Sequence, residues 1–293
     1  MSQPLRISLA EAVRDAAARL LRQAGWPAAR LEAELLLCEA AALPRTALFI
    51  DPDQTLNAAE QASFEKLLQR RLEGEPMAYI LGRRGFHALE LRIAPGVLIP
   101  RPETELLVDW AVEIMPAHKP LQCADLGTGS GAIALAMAHA RPAWTLYAVE
   151  RDTAALAVAA GNARRLEVEN VCLVQGDWLA GFACESLDLV VANPPYVRTA
   201  DPHLACGDLR FEPTLALTAG VDGLSAIRRI LPQAARVLRP GGRLLLEHGW
   251  QQGAEVRDLL RLAGWCGIVT RRDLAGLERA TGARRAPRRQ PTG

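Results

Sequence analysis

The sequence predicts an α/β protein in which a small N-terminal helical bundle precedes a doubly wound, mostly parallel sheet. Three observations carry that prediction. From Leu121 onward, apolar runs of strand length alternate with segments of helical periodicity, the pattern of parallel strands joined by crossover helices. A glycine-rich turn, Asp125-Leu126-Gly127-Thr128-Gly129-Ser130-Gly131, stands between the first of those strands and the helix after it. Ahead of the sheet, residues 1–75 read as three short helices. A chain of 293 residues also has room for about two domains at roughly 150 residues each, and for a core that needs no disulfide or structural metal.

The first helix starts at Ser8-Leu9-Ala10-Glu11. This is capping-box spacing, in which the serine hydroxyl accepts from the third helical N–H and the glutamate reaches back. Leu9, Ala12, Val13, Ala16, Ala17, Leu20 and Leu21 then share one helical face, and Gly25 and Pro27 end it. A second helix is expected over residues 28–42. A third begins near Asn57, with Glu60 three residues on, and carries Leu67, Leu68 and Leu72 to Gly74-Glu75-Pro76. Residues 76–100 are expected to form a hairpin linker, because Leu89, Leu91 and Ile93 alternate with Glu90 and Arg92 and Phe86 lies nearby. In Ile99-Pro100-Arg101-Pro102-Glu103-Thr104-Glu105 the prolines hold an extended entry. The two acids then fall in the first turn of the next helix, where its dipole favours them.

Residues 101–283 hold the sheet. The expected strands are 122–126, 145–150, 171–175, 187–192, 243–247 and 266–271, and the expected helices about 130–140, 153–166, 224–238 and 251–263. No internal repeat is visible. Residues 284–293, rich in Arg, Pro and Gly, read as a flexible tail, with an RNA-touching patch as the alternative.

Composition narrows the function. The net charge is +1, with 34 Lys+Arg against 33 Asp+Glu, which excludes a strongly basic nucleic-acid coat and an acidic solvating tail but leaves room for a local basic patch. Only Lys66 and Lys119 are lysines, so lysine-based covalent chemistry has few candidates. The cysteines at 38, 123, 172, 184, 206 and 266 include no C-x-x-C pair and no Cys/His cluster, so no metal site is expected. Several lie in apolar runs, as Cys123 and Cys172 do, and read as buried free thiols of a reducing cytosol. No apolar run approaches the roughly 20 residues that span a bilayer. Near the N-terminus Glu11 and Asp15 interrupt any signal-like segment. A cytoplasmic location without membrane association follows as the expectation.

The glycine turn lets a ligand approach bare backbone at a helix N-terminus whose N–H groups are unpaired. Glu150, about 20 residues on, stands where a nucleotide ribose asks for an acid. By itself the turn fits NAD or S-adenosylmethionine, which share an adenosine ribose. Asp125 would suit the ammonium of S-adenosylmethionine and repel a pyrophosphate, which tilts the reading toward S-adenosylmethionine.

The apolar run Leu187–Ala192 leads straight into Asn193-Pro194-Pro195-Tyr196. Carboxyl ends of strands line the ligand crevice of a doubly wound sheet, which puts this tetrapeptide on the same edge as the glycine turn. The Asn193 side-chain oxygen and the Pro194 carbonyl can accept the two N–H bonds of an sp² amine, and Tyr196 adds a flat face with a polar tip. Such a cradle would hold a poorly nucleophilic amide or exocyclic amine in line with an electrophilic methyl group and favour it as it pyramidalises. No side-chain base is needed.

With these motifs the chain resembles the class I S-adenosylmethionine-dependent methyltransferases that carry Asn-Pro-Pro-Tyr. Within them it is similar to the bacterial release factor glutamine methyltransferases of the HemK/PrmC family. The likeness covers nearly the whole chain: the N-terminal helices, Ile99–Glu105, Asp125–Gly131, Gly176-Asp177-Trp178, Asn193–Tyr196, Asp201–Leu204, Gly207–Pro213 and Leu246–Gly253. It implies a Rossmann-like sheet of the class I methyltransferase type, and a reaction that methylates the side-chain amide nitrogen (N5) of the glutamine in the Gly-Gly-Gln motif of peptide chain release factors. It further implies that Gly127, Thr128, Gly129, Ser130 and Gly131 hold the methionyl part of the cofactor and Glu150 the ribose hydroxyls. Asp177 and Trp178 would flank the adenine, Asn193, Pro194, Pro195 and Tyr196 would hold the substrate glutamine, with Asn193 also touching the cofactor, and the helical domain would help dock the release factor. A monomer without a stable nucleic-acid partner is expected. The alternative reading is the same chemistry on an exocyclic amine of adenine or guanine in DNA or RNA.

Three positions depart from the family pattern. His87 stands where an aromatic often follows Phe86, the second-strand acid is Glu150, and Glu278–Ala283 is a degraded form of an apolar final strand. Several residues have two readings. Trp178 is core or cofactor contact. Glu247 and His248 cap structure or serve the site, and Arg101, Glu103 and Glu105 line an entrance or cap a helix. Arg210 and Glu212 form a structural ion pair or order a loop. Arg70-Arg71 and Arg83-Arg84 are solvated faces or a surface for a protein partner.

Overall fold

The computed structural model describes residues 7–24 and 28–287. It divides into two compact units, one comprising residues up to Gly82 together with Cys206–Phe211, the other Arg83–Ala205 together with the residues from Glu212 onward.

In the first unit the three expected helices are present as α1 (Leu9–Ala24), α2 (Ala29–Ala41) and α4 (Ala58–Leu72), and two short ones, α3 (Ala47–Ile50) and α5 (Met77–Leu81), accompany them. Four or five residues are too few to show a helical period, so the sequence did not announce the short pair. Both capping boxes form. Glu11 N–H donates to Ser8 Oγ at 3.3 Å and Ser8 N–H to Glu11 Oε2 at 3.0 Å. At α4, Asn57 Oδ1 accepts from the N–H groups of Ala59 and Glu60, and Glu60 accepts from Asn57 N–H. The core is built from Leu9, Leu20, Leu36, Leu37, Phe64 and Leu68. The Gly25–Pro27 stop lies outside the described residues, as does the tail beyond 287.

Arg71 is not on a solvated face. It is 4% exposed, grips Glu32 with two hydrogen bonds of 2.9 and 3.0 Å, and donates to Asp208 at 3.0 Å. Its neighbour Arg70 pairs with Glu75. Residues 206–211 therefore belong to the helical unit through charge-assisted bonds that hydropathy does not register.

The second unit opens with the hairpin β1 (Arg83–Phe86) and β2 (Leu89–Arg92), closed by a two-residue turn in which His87 takes φ +52°. His87 N–H donates to Glu105 and its ring meets Asp109 at 2.9 Å. Those bonds to α6 (Glu105–Ile114) do the fastening that an aromatic would otherwise do by packing.

The sheet has seven strands. They are β3 (Gln122–Leu126), β4 (Thr145–Glu150), β5 (Val171–Gln175), β6 (Leu187–Ala192), β7 (Leu238–Glu247), β8 (Cys266–Arg272) and β9 (Glu278–Arg284), in the spatial order β5-β4-β3-β6-β7-β9-β8. Pairs among β3 to β7 are parallel, and β9 runs antiparallel between β7 and β8. The crossover helices are α7 (Ala132–Ala140), α8 (Thr153–Arg165), α10 (Ser225–Val237) and α11 (Gly253–Leu262), and a short α9 (Thr214–Leu217) precedes α10. Central β6 is buried along nearly its whole length, as an apolar run in a parallel sheet requires.

Glu278–Ala283 forms a full strand despite its weak hydrophobicity. The place calls for small residues: a Cβ on Gly282 would stand 2.7 Å from both Leu245 Cδ2 and the Trp110 ring. Strand β7 also starts earlier than expected, at Leu238, with a register shift against β6 between Leu187 and Leu189. Of the thiols expected to be buried, Cys123 is, whereas Cys172 is exposed because β5 is an edge strand. Among the described residues no helix is long and apolar enough to cross a membrane, and no group of His, Cys, Asp and Glu could hold a metal ion.

Candidate active site

The switch between β3 and β6, where the strand order reverses, places the glycine turn and the tetrapeptide side by side at the carboxyl edge of the sheet. Gly127, Gly129 and Gly131 take φ of +68°, +57° and +88°, a left-handed conformation that other residues enter only with strain. Gly131 caps α7. Asp125 lies beneath the turn, 1% exposed, and its Oδ2 accepts from Thr128 Oγ1 at 2.6 Å and from Ala134 N–H at 3.1 Å. It thereby ties the turn to the first turn of α7, and its Oδ1 is buried without a partner.

Burial pushes the Asp125 carboxyl up to about 7, and the charge of Glu150 adds to the rise. An acid whose native pKa exceeds its unfolded value of roughly 3.9 holds its proton longer in the native state. Its stabilising contribution is complete below the unfolded pKa and is lost as pH rises toward 7. Thermal unfolding followed from pH 5 to 8 is therefore expected to show a smaller fall in Tm for Asp125→Asn than for the wild type. An equal or steeper fall would contradict this assignment.

A cavity of about 410 Å³ opens above the turn, within the size range of small-molecule sites. Gly127, Gly129, Glu150, Asp177, Trp178, Asn193 and Pro195 all line it. The other expected residues are not on the cavity wall: Thr128 and Ser130 are buried in the turn, Gly131 opens α7, Pro194 is buried within the tetrapeptide and Tyr196 bonds to Glu247. Glu150 Oε2 accepts from Gly129 N–H at 3.0 Å, and Oε1 accepts from the N–H groups of Arg151 and Asp152. Trp178, at φ +54°, lays its ring over the turn, 3.5 Å from where a Gly127 Cβ would stand, and its Nε1 is buried without a partner. Asp177 pairs with Arg229 of α10, a cavity-lining residue that the sequence did not single out.

At the tetrapeptide, Asn193 Nδ2 donates to Thr104 Oγ1 at 3.1 Å. Neither Asn193 Oδ1 nor the Pro194 carbonyl accepts a hydrogen bond from the described residues. Tyr196 O–H donates to Glu247 Oε1 at 3.3 Å, and the Tyr196 carbonyl accepts from Gln252 Nε2 at 3.1 Å. Burial and the nearby Glu247 hold the Tyr196 phenol well above its ordinary range. Glu247 itself is 1% exposed, and burial pushes its carboxyl up to about 7.

The residues with two readings separate. His248 is fully buried, bonded to the Gly249 carbonyl at 2.9 Å and to Thr281 Oγ1 at 2.8 Å, which fixes the strand ends and keeps it off the cavity wall. Arg210 and Glu212 do not pair with each other. Arg210 donates to the Glu73 carbonyl and lies over the Phe211 ring, whereas buried Glu212 takes Arg101 and the Ile99 N–H. Of Glu103 and Glu105, the latter holds the hairpin turn, and it is the unremarked Thr104 between them that reaches the site.

Two family models match the chain, one described as the PrmC N-terminal domain over residues 11–82 and one as the methyltransferase small domain over residues 104–208. The release factor glutamine methyltransferase of Coxiella burnetii is 44% identical over 279 residues, 95% of this chain and 99% of that one. The protein of the same name from Pseudomonas aeruginosa is 49% identical over 255 residues, 87% of this chain and 92% of that one. Among solved structures, a methyltransferase from Pyrococcus furiosus aligns with a TM-score of 0.52 at 16% identity, covering 76% of this chain and 99% of that one. The ribosomal protein L11 methylase of Lactobacillus delbrueckii subsp. bulgaricus aligns with a TM-score of 0.50 at 21% identity, covering 67% and 85%. At those identities the two structures speak for the fold alone.

Proposed function

The chain belongs to the release factor glutamine methyltransferase family, and from that premise we propose that it methylates the side-chain amide nitrogen (N5) of the glutamine in the Gly-Gly-Gln motif of peptide chain release factors. The observation that carries this reading is the pair of unpartnered acceptors, the Oδ1 of cavity-lining Asn193 and the carbonyl of the adjoining Pro194. A primary amide presents two N–H donors, and two fixed acceptors match them. The names of the relatives favour a protein glutamine over a nucleobase amine.

The cavity residues fit S-adenosylmethionine as the methyl donor. The turn presents bare backbone, Glu150 offers a carboxylate at the wall, and Trp178 contributes a flat ring with an unpartnered buried N–H. Gly127–Gly131 would hold the methionyl part, Glu150 the ribose hydroxyls, and Asp177 with Trp178 the adenine. When bound, this cofactor supplies an electrophilic methyl group.

The chain's own residues orient the nucleophile. Asn193 and Pro194 hold the amide N–H groups and draw electron density toward the nitrogen as its lone pair localises, a gain greater in the transition state than in the ground state. Pro194 and Pro195 keep the backbone from following the substrate's motion, because their φ is fixed. No described side chain need act as base, since the proton can leave once charge has developed on nitrogen. The helical unit, matched by the PrmC N-terminal domain model, would help dock the release factor.

Incubation with a release factor and methyl-labelled S-adenosylmethionine, followed by peptide mass spectrometry, tests the reading. Label is expected on the Gly-Gly-Gln glutamine. Label confined to other residues or to nucleic acid would overturn it.

A further inference from the structure

Buried Glu212 pins an irregular segment that runs from the glycine turn to the tetrapeptide. Gly96, Val97 and Leu98 line the cavity, and Val97 Cγ1 lies 3.8 Å from where a Gly129 Cβ would stand. At the other end of residues 97–104, Thr104 Oγ1 accepts from Asn193 Nδ2 at 3.1 Å. Pro100 and Pro102 stiffen the stretch between, and neither has a backbone N–H with which to join a ladder. A side chain holds its middle instead. Glu212, 5% exposed, accepts from Ile99 N–H at 3.1 Å through Oε2 and from the Arg101 guanidinium through Oε1. The residue after it, Pro213, is itself on the cavity wall. Taking a carboxylate out of water is costly unless it is paired and hydrogen-bonded, and this one is both.

We propose that Glu212 is a positioning residue: by anchoring the middle of residues 97–104 it sets how the glycine turn and the Asn193 amide stand relative to each other. The inference rests on the functional reading above, in which the turn holds the methyl donor and Asn193 the acceptor amide. Backbone bonds fix only the ends of the segment, from Val97 N–H to the Ala94 carbonyl at 3.2 Å and from Thr104 N–H to the Arg101 carbonyl at 3.1 Å. The bonds to Glu212 fall between them, on either side of Pro100. Because φ is fixed at both prolines, a shift at this anchor is passed along the chain and not absorbed. Released, Val97 would move against the turn and Thr104 against Asn193. A misplacement of about 1 Å between reacting groups can cost on the order of 10²-fold in rate.

The test uses the full-length protein with ¹⁵N labelling. In Glu212→Ala the Ile99 amide is expected to exchange with solvent at least about tenfold faster. The Asn193 side-chain NH₂ resonances, identified by their loss in Asn193→Ala, should move although residue 212 does not touch them. Glu212→Gln keeps an acceptor but loses the charge that Arg101 meets, and should fall between Glu212→Ala and the wild type in both respects. Single-turnover methylation of a release factor at saturating cofactor should slow at least about tenfold in Glu212→Ala, with release factor KM nearly unchanged. The double variant Glu212→Ala/Thr104→Val should be slower than the worse single variant by much less than the product of the two losses, since both act on one segment. A folded Glu212→Ala with unmoved Asn193 resonances, or rate losses that multiply, would overturn the proposal; a residue that serves stability alone would lower Tm and give that result. If Glu212→Ala does not fold, Arg101→Ala and Glu212→Gln carry the comparison. The exchange and the resonances need no substrate, so a wild type that fails to methylate release factors would end the functional reading while the spectra still decide the anchoring.

Discussion

Asn193→Ala is expected to lower kcat by about 10²–10³-fold, the magnitude associated with losing one preorganised polar group aimed at developing charge. The affinity for S-adenosylmethionine should change far less. Asn193 lines the cavity, but so do Gly127, Gly129, Glu150 and Trp178, which the substitution leaves in place. The fall in rate should be retained under single-turnover conditions with saturating release factor, because the lost interaction strengthens only as the amide nitrogen becomes electron-rich. Calorimetry with the cofactor and rapid-quench kinetics separate the two quantities. Equal losses of binding and rate would show that Asn193 serves mainly the cofactor. Asn193→Asp keeps an acceptor but removes the donor to Thr104 and adds a charge beside Glu247, so it should not restore the rate.

Much of this site is legible in the sequence because its parts are local. The glycine turn and the tetrapeptide are each contiguous, and each follows an apolar strand, so strand order alone brings them to one edge. The capping boxes at Ser8 and Asn57 are likewise read within four residues. What escapes the sequence is contact over distance. Thr104 lies 89 residues from Asn193, and Glu247 lies 51 from Tyr196. Neither has a neighbourhood that marks it, since a threonine between two glutamates and a glutamate ending a strand have ordinary local explanations. The partners of Arg71, Arg210 and Glu212 are hidden for the same reason. The last strand shows a different failure. Hydropathy expects large apolar residues in a central strand, whereas the close approach of Trp110 and Leu245 at Gly282 calls for small ones.

Gly223 shows how a residue with no motif can govern one. It lies at φ +76°, and a Cβ placed on it would stand 2.2 Å from the Tyr196 carbonyl oxygen and 2.7 Å from Gln252 Nε2. The carbonyl is backbone, held by that same Gln252 amide, which also donates to the Asp222 carbonyl at 3.2 Å. A methyl group here therefore cannot be relieved by turning a flexible side chain. Gly223→Ala is expected to cost about 1–2 kcal/mol for the left-handed backbone and a further ~1–3 kcal/mol for overpacking. At roughly 2–4 °C per kcal/mol for a unit of this size, Tm should fall by about 5 °C or more. The wedge also pushes on the peptide that follows Tyr196, at the end of the tetrapeptide, so the acceptors of Asn193 and Pro194 should lose their alignment. A displacement of about 1 Å can cost on the order of 10²-fold in rate, and the folded fraction of Gly223→Ala should show that loss well below its unfolding temperature. Gln252→Ala removes the tether without inserting a wedge, and should affect both quantities less. A Gly223→Ala protein with wild-type Tm and kcat would show that the Asp222–Leu224 backbone does not support the tetrapeptide. The expected result makes the rigidity of Asn193–Tyr196 a property of the loop packed behind it as much as of its two prolines.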